Sequence, residues 1–232
     1  MVSNDVRLLE AGAPALDACI LDPTGHLLAA VQLVRLRDSV LLDLEPASTP
    51  RILPRLEDFI IAEDVEVSDV SADYEVLSLQ GPGAVPPVSA DDLVGVVPED
   101  HTGEGGFDLY LRCGTADSVR RAYAAAGVGE VGAQAAEALR IEAGQPRDGV
   151  DMDCTTIPLE AGLEETHISH AKGCYVGQEV IARILKRHAL DRRDQHGSRL
   201  CDCIFRGMIH GFGQFVDGLA IANLSRDFLH LL

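Results

Sequence analysis

The stretch "AKGCYVGQEVIAR", Ala171 to Arg183, sets one of the chain's two lysines, Lys172, two residues before Cys174 in a segment punctuated by Gly173 and Gly177. The glycines permit a tight backbone path. Val180, Ile181, Ile184 and Leu185 then fall on one stripe of a helix. Such a loop delivers an ammonium and a thiol beside a helix N-terminus, where the helix dipole and a nearby cation lower a thiol's pKa. The plainer alternative is Cys174 as a small buried hydrophobe. Gln178 and Glu179 suit capping and orienting the helix, and Arg183, at i+4 from Glu179, suits a structural ion pair.

Upstream, "ALDACIL" (15–21), "LLAAVQLVR" (27–35) and "SVLLDLE" (39–45) are short, turn-bounded and rich in Val, Leu and Ile. They are predicted strands, with "DPTGH" (22–26) a tight turn between the first two. "STPRILPRLEDFIIAE" (48–63) predicts a helix: Ser48 or Thr49 can cap it, Pro50 suits its first turn, and Ile52, Leu53, Leu56, Phe59 and Ile60 share a face. "VEVSDV" (65–70), "YEVLSLQG" (74–81) and "GEGGFDLYLRC" (103–113) return to the strand pattern. The last alternates Phe107, Leu109 and Leu111 with Asp108, Tyr110 and Arg112. Helices from about Thr115 and near "QAAEALRIEAG" (134–144) stop at Gly127 and Gly144. Strands and helices intermix without strict alternation, which predicts an α+β fold with largely antiparallel sheets.

With 232 residues, 47% of them hydrophobic, the chain can bury the core of a soluble globular protein of one or two domains. Its cysteines, at 19, 113, 154, 174, 201 and 203, form no CxxC pair, which argues against a zinc ribbon or a secreted disulfide scaffold. A reducing, cytoplasmic setting is expected. "MVSNDVRLLEAG" carries no signal pattern, and no run of about 18 apolar residues predicts a membrane span. The formal charge of -18 comes from 37 acidic residues against 17 Arg, Lys172 and Lys186. Nucleic-acid binding needs a basic footprint, which is absent. Heavy acidic loading with few lysines suits a salt-rich, halophilic cytoplasm, where ionic strength screens self-repulsion; an acidic mesophilic protein is the alternative.

Residues 1–183 hold 32 acidic and 12 basic residues, whereas 184–232 hold 5 acidic residues, all Asp, and 7 basic ones. The second stretch also takes four of the six Phe and four of the eight His. This shift predicts a unit over 1–183 that carries the function, followed by an atypical tail over 184–232, either a small terminal module or a frameshifted, poorly ordered sequence. Cys201 and Cys203 in that tail are read as incidental rather than metal-binding.

"KGCYVGQEVIAR" resembles the signature of YgfZ-type folate-binding proteins, relatives of the glycine cleavage T protein (aminomethyltransferase) that act in iron-sulfur cluster assembly or repair. "SNDV" (3–6), "TGEGGFDLY" (102–110), "ALRIEAGQP" (138–146) and "IPLEAGL" (157–163) follow the order of that superfamily. The resemblance implies ferredoxin-like α+β subdomains around a central folate pocket, usually followed by a small C-terminal β-barrel that is missing or unrecognisable here. It also implies that the family's N-terminal edge is truncated. By the same resemblance tetrahydrofolate or a one-carbon derivative is the cofactor, and iron-sulfur proteins or their assembly factors are partners. Glu104 is the candidate to hydrogen-bond the pterin, since a carboxylate pairs well with an amino-pyrimidinone edge. Lys172 would attract the folate glutamate tail or an acidic partner, and Tyr175 and Gln178 complete the candidate cofactor contacts. Cys174 would be a redox-responsive thiol or a transient cluster contact, since one thiol cannot hold a cluster alone.

The T protein transfers a one-carbon unit to tetrahydrofolate with an aspartate near the reacting nitrogen, in a Gly-Ile-Leu-Asp-Asp-Leu strand. The matching strand here, "GHLLAAVQL", has Ala29 and Ala30 at the acidic positions, and a methyl group can neither accept a proton nor stabilise positive charge. An arginine of the enzyme is also replaced, at Ala136, while Arg140 and Glu142 remain. The resemblance therefore implies a folate-binding assembly factor whose pocket lacks the transfer acid. An aminomethyltransferase, or an inactive remnant, is the alternative.

Overall fold

The computed structural model describes residues 1–10, 12–61, 65–85, 93–194, 213–215 and 220–225, with side chains described as far as residue 187. Two antiparallel sheets form the frame. In the first, β1 (Ala15–Leu21), β2 (Leu27–Arg35) and β3 (Ser39–Leu44) run as a meander. β4 (Val67–Asp69) lies at the far edge, separated from β3 by a strand from the end of the chain. In the second, β5 (Tyr74–Gln80), β6 (Leu93–Pro98) and β7 (Gly106–Arg112) pair in the order β6-β7-β5. β8 (Gly213–Phe215) extends the second sheet beside β5, and β9 (Ala220–Ser225) fills the place between β3 and β4. Neither sheet closes into a barrel among the described residues, and the architecture is α+β.

The strand period of two sorts side chains onto two faces of the first sheet. Leu16, Ala18 and Ile20 of β1, Ala29, Val31 and Leu33 of β2, and Val40, Leu42 and Leu44 of β3 share one core. Leu9 of α1 (Arg7–Glu10) and Ile52 and Leu56 of α2 (Thr49–Glu57) cover it. Neither Ser48 nor Thr49 donates a capping side chain to α2, because a short 3-10 turn over Pro46–Ser48 leads into the helix. The Ser48 hydroxyl instead reaches the buried Asp148 carboxylate at 3.0 Å.

The opposite face meets two partners. Cys19, Leu21 and Leu27 pack with Met152, Leu163, Ile168 and Ile181, which brings in α5 (Glu164–His167) and α6 (Gln178–Asp194). Further along, Val34 and Leu41 pack with Val97 and Tyr110 of the second sheet. The second sheet's other side, with Leu77, Leu109 and Leu111, carries α3 (Ala116–Ala125) through Ala116 and Val119. Both faces of β7 are thus covered, so Asp108 and Tyr110, which alternate with its leucines, are buried rather than wet. α4 (Ala133–Glu142) ends at Gly144, whose φ is 70°. Among the described residues no helix is long and apolar enough to cross a membrane.

Candidate functional site

A cavity of about 610 Å³ opens where the inner face of the first sheet meets the second, roofed by α4, the 144–148 loop and α5. That volume suits a drug-sized or cofactor-sized ligand. Asp17 of β1 and Asp43 of β3 line it, and both pair in register with Gln32 of β2, which lies between them. The Gln32 amide donates to Asp17 Oδ1 at 3.0 Å and to Glu99 Oε2 at 2.7 Å. The Tyr110 hydroxyl donates to Asp43 Oδ2 at 2.6 Å and stands 3.1 Å from Gln32 Oε1.

The loop joining β6 and β7 supplies the next wall. Asp100 Oδ1 accepts from the backbone of Thr102 and Gly103, at 3.1 and 2.7 Å, and Gly103 and Gly105 turn at φ 80° and 82°. This turn puts His101 Nε2 2.8 Å from Asp108 Oδ2. The other oxygen, Asp108 Oδ1, is buried without a hydrogen-bond partner, although Asp108 is only 6% exposed and lines the cavity. A buried acceptor left unmatched costs about 1–3 kcal/mol.

Burial pushes the Asp43 carboxyl up to about 8, and burial together with Asp17 pushes Glu99 up to about 7. Burial works against the charged form of His101, but Asp108, Glu99 and Asp43 outweigh it and hold the imidazole at about 9. Three groups thus exchange protons in or near the physiological range, as general acids and bases must.

The outer rim carries cations that are already engaged. Arg140 grips Glu137 in a two-pronged pair at 2.6 and 2.9 Å and meets Asp151 at 2.7 Å. The Glu137 carboxylate in particular holds its guanidinium above the ordinary value. Arg147 meets Glu45 at 2.7 Å.

The residues singled out in the glycine-bent segment lie elsewhere. Lys172 Nζ donates to the carbonyls of Val2 and Asn4, at 2.7 and 2.9 Å, and stands 5.7 Å from the centre of the Tyr175 ring. Asn4 in turn donates to Asp17 O and Thr166 O, at 2.8 and 2.9 Å, and Ser3 Oγ to His167 O at 2.6 Å. "SNDV" and "KGC" are therefore two halves of one clamp. It holds β1 and α5, which supply Asp17, Thr166 and His167 to the cavity. Gly177, at φ 81°, packs against the 22–25 turn so closely that a Cβ would stand 2.6 Å from Asp22 O.

Cys174 and Gly173 are exposed, Tyr175 and Gln178 half-buried, and none of the four lines the cavity. Burial pushes the Tyr175 phenol up to about 12. Glu179 and Arg183 form the expected ion pair, exposed on both sides. Glu104 is exposed and does not line the cavity; Asp108, four residues on, does. Cys201 and Cys203 lie outside the described residues.

The expectation of a missing transfer acid concerned two positions of β2, Ala29 and Ala30. Ala30 does line the cavity, and Ala29 is sealed in the opposite core, so β2 offers no carboxylate at those positions. Neighbouring strands do: Asp17, Asp43, Glu99 and Asp108 all line the same space. The signal was present as a single polar residue inside each apolar strand: Asp17 in "ALDACIL", Gln32 in "LLAAVQLVR", Asp43 in "SVLLDL".

No family model matches the chain. It is 30% identical over 207 residues to an aminomethyltransferase of Rubrobacter xylanophilus, covering 81% of this chain and 55% of that protein. A second aminomethyltransferase, from Synechococcus, is 31% identical over 188 residues, 72% of this chain and 47% of the other. A putative chloroplastic transferase of Arabidopsis thaliana is 28% identical over 198 residues, 76% and 46% of the two chains. The chain spans about half the length of these curated relatives, and the bacterial homologues among them are proteins named aminomethyltransferase.

Proposed function

We propose that the protein binds tetrahydrofolate or a one-carbon derivative in the cavity between its two sheets, as a protein of the aminomethyltransferase type. The supporting observation is a cavity of cofactor size whose wall carries Asp43, Glu99 and Asp108. The amino-pyrimidinone edge of a pterin carries N–H donors that a carboxyl on this wall would accept. Folate fits the rest of the site in outline: heterocycle against the carboxylate-lined inner wall, acidic tail toward the rim that holds Arg140 and Arg147. When bound, the folate would supply the nitrogen that carries the one-carbon unit. The protein's own groups orient that nitrogen and hold protons beside it at Asp43 and Glu99.

Calorimetric titration with tetrahydrofolate tests this reading. Asp108→Asn should weaken binding about ten- to a hundred-fold, the range of a lost charge-assisted hydrogen bond, while Glu104→Ala should leave it within about two-fold. No binding by the unaltered protein would remove the folate reading.

Assistance to iron-sulfur proteins is a second reading, supported by the exposure of Cys174 on the segment that resembles the YgfZ signature. Complementation of an iron-sulfur maturation defect by the unaltered protein, but not by Cys174→Ser, would support it. Equal rescue by both would exclude a role for the thiol.

A further inference from the structure

A helix of four residues does not hold itself together, because forming one turn fixes more backbone than its hydrogen bonds offset. α5 is such a turn, yet it carries Thr166 and His167 on the cavity wall. Its last carbonyls have no partner within the helix. Two side chains of the N-terminal segment take that place: Asn4 Nδ2 donates to Thr166 O at 2.9 Å, and Ser3 Oγ to His167 O at 2.6 Å. Ser3 is itself fixed, since its hydroxyl accepts from Cys19 N of β1 at 2.8 Å and its carbonyl from Ser169 N at 3.0 Å. Lys172 closes the arrangement by donating to Val2 O and Asn4 O, on either side of Ser3. Leu163 and Ile168 sink the two flanks of the turn into the apolar core, and the polar clamp sets its C-terminal end between them.

The clamp thereby fixes the place of an imidazole. Burial holds the His167 ring below its ordinary value, with Asp17 acting the other way, so the ring is neutral near pH 7. A neutral imidazole carries one N–H donor and one bare nitrogen that accepts. Nδ1 lies 2.7 Å from Thr166 Oγ1, whereas Nε2 makes no hydrogen bond among the described residues. The ring is thus held through one nitrogen and has the other for a ligand.

We propose that His167 is a ligand-contacting residue of the cavity, presenting Nε2 to a ring nitrogen or carbonyl of the bound heterocycle, and that Lys172, Ser3 and Asn4 are its positioning residues. The glycine-bent segment then serves the cavity without lining it, by way of the N-terminal segment. The ligand contact rests on the folate reading; the positioning of the ring does not. Positioning of this kind is in place before a ligand arrives, which spares the ligand the cost of ordering the turn.

The ring-nitrogen NMR signals of the histidines, with that of His167 identified by its loss in His167→Gln, test the positioning without any ligand. Lys172→Met and Ser3→Ala should each move the His167 signal and leave that of His101, on the loop between β6 and β7, in place. A His167 signal unmoved in both variants overturns the positioning, and so does a His101 signal that moves as far, which reports general loosening. Calorimetry with tetrahydrofolate reads the contact. His167→Ala should weaken binding about three- to ten-fold, the range of one hydrogen bond. Lys172→Met should weaken it in the otherwise unaltered protein but no further in His167→Ala. Equal weakening by Lys172→Met in both backgrounds, or unchanged affinity in His167→Ala, overturns the proposal. Absence of binding by the unaltered protein removes the folate reading and the contact with it, while the ring signals still decide the positioning.

Discussion

Gly177 shows how much one atom can cost in this structure. Its φ of 81° is in the left-handed region, and a Cβ would stand 2.6 Å from Asp22 O and 3.0 Å from the Cα of Gly25. The strained φ and the backbone clash together predict that Gly177→Ala loses on the order of 2–4 kcal/mol, measurable as a fall in the urea midpoint. From sequence, Gly177 reads only as a permissive bend; its close approach to a turn some 150 residues earlier is a tertiary fact. The carboxylates were legible in a different way. Asp17, Gln32 and Asp43 interrupt apolar runs one residue at a time, which marks each as polar on a covered face. Only the register between strands reveals that they form a row. Glu104 illustrates the converse, because it is exposed outside the cavity lining while Asp108, reading as an ordinary strand residue, lines the hollow.

At the scale of elements, apolar period and turn chemistry suffice for β1 and β2, whose ends match the sequence expectation. β6 went unread because Gly95 and Pro98 weaken its strand pattern and most of it is only half-buried. The clamp between "SNDV" and "KGC" is a link no local pattern encodes. Lys172 is half-buried, burial holds its ammonium below the ordinary value, and it bonds two carbonyls of the N-terminal segment. Lys172→Met should therefore cost about 1–3 kcal/mol and speed amide exchange in residues 2–5, as followed by hydrogen–deuterium exchange. By contrast Arg183→Ala breaks an ion pair that is solvent-exposed at both ends, and a thermal melt should move by less than the equivalent of about 0.5 kcal/mol.

For the whole molecule, the groups that define the cavity also set the response to pH. Asp43 and Glu99 hold protons in the folded state to about 8 and 7, whereas unfolded carboxylates release theirs near about 4. The folded chain binds the extra protons between those values, so stability falls as pH rises through that window. His101, raised to about 9 from 6.5, contributes stability that is complete below 6.5 and lost as pH climbs through 9. The melting temperature of the unliganded protein is expected to fall between pH 6 and 9, and Asp43→Asn to make the fall shallower, in a fluorescence melt at constant ionic strength. The charge of -18 adds self-repulsion over the entire surface, which added potassium chloride should relieve by raising the melting temperature.

The placement of Asp17, Gln32 and Asp43 on three adjoining strands has a consequence for how recognition here can change. Hydrogen-bonded strands sit about 4.8 Å apart, and that pitch is not adjustable. A binding loop can drift to accommodate a new molecule, but a floor laid on this lattice alters only when one tile is swapped for another. Specificity in this protein would then shift in discrete jumps through substitution at 17, 32 or 43, with the spacing itself held constant.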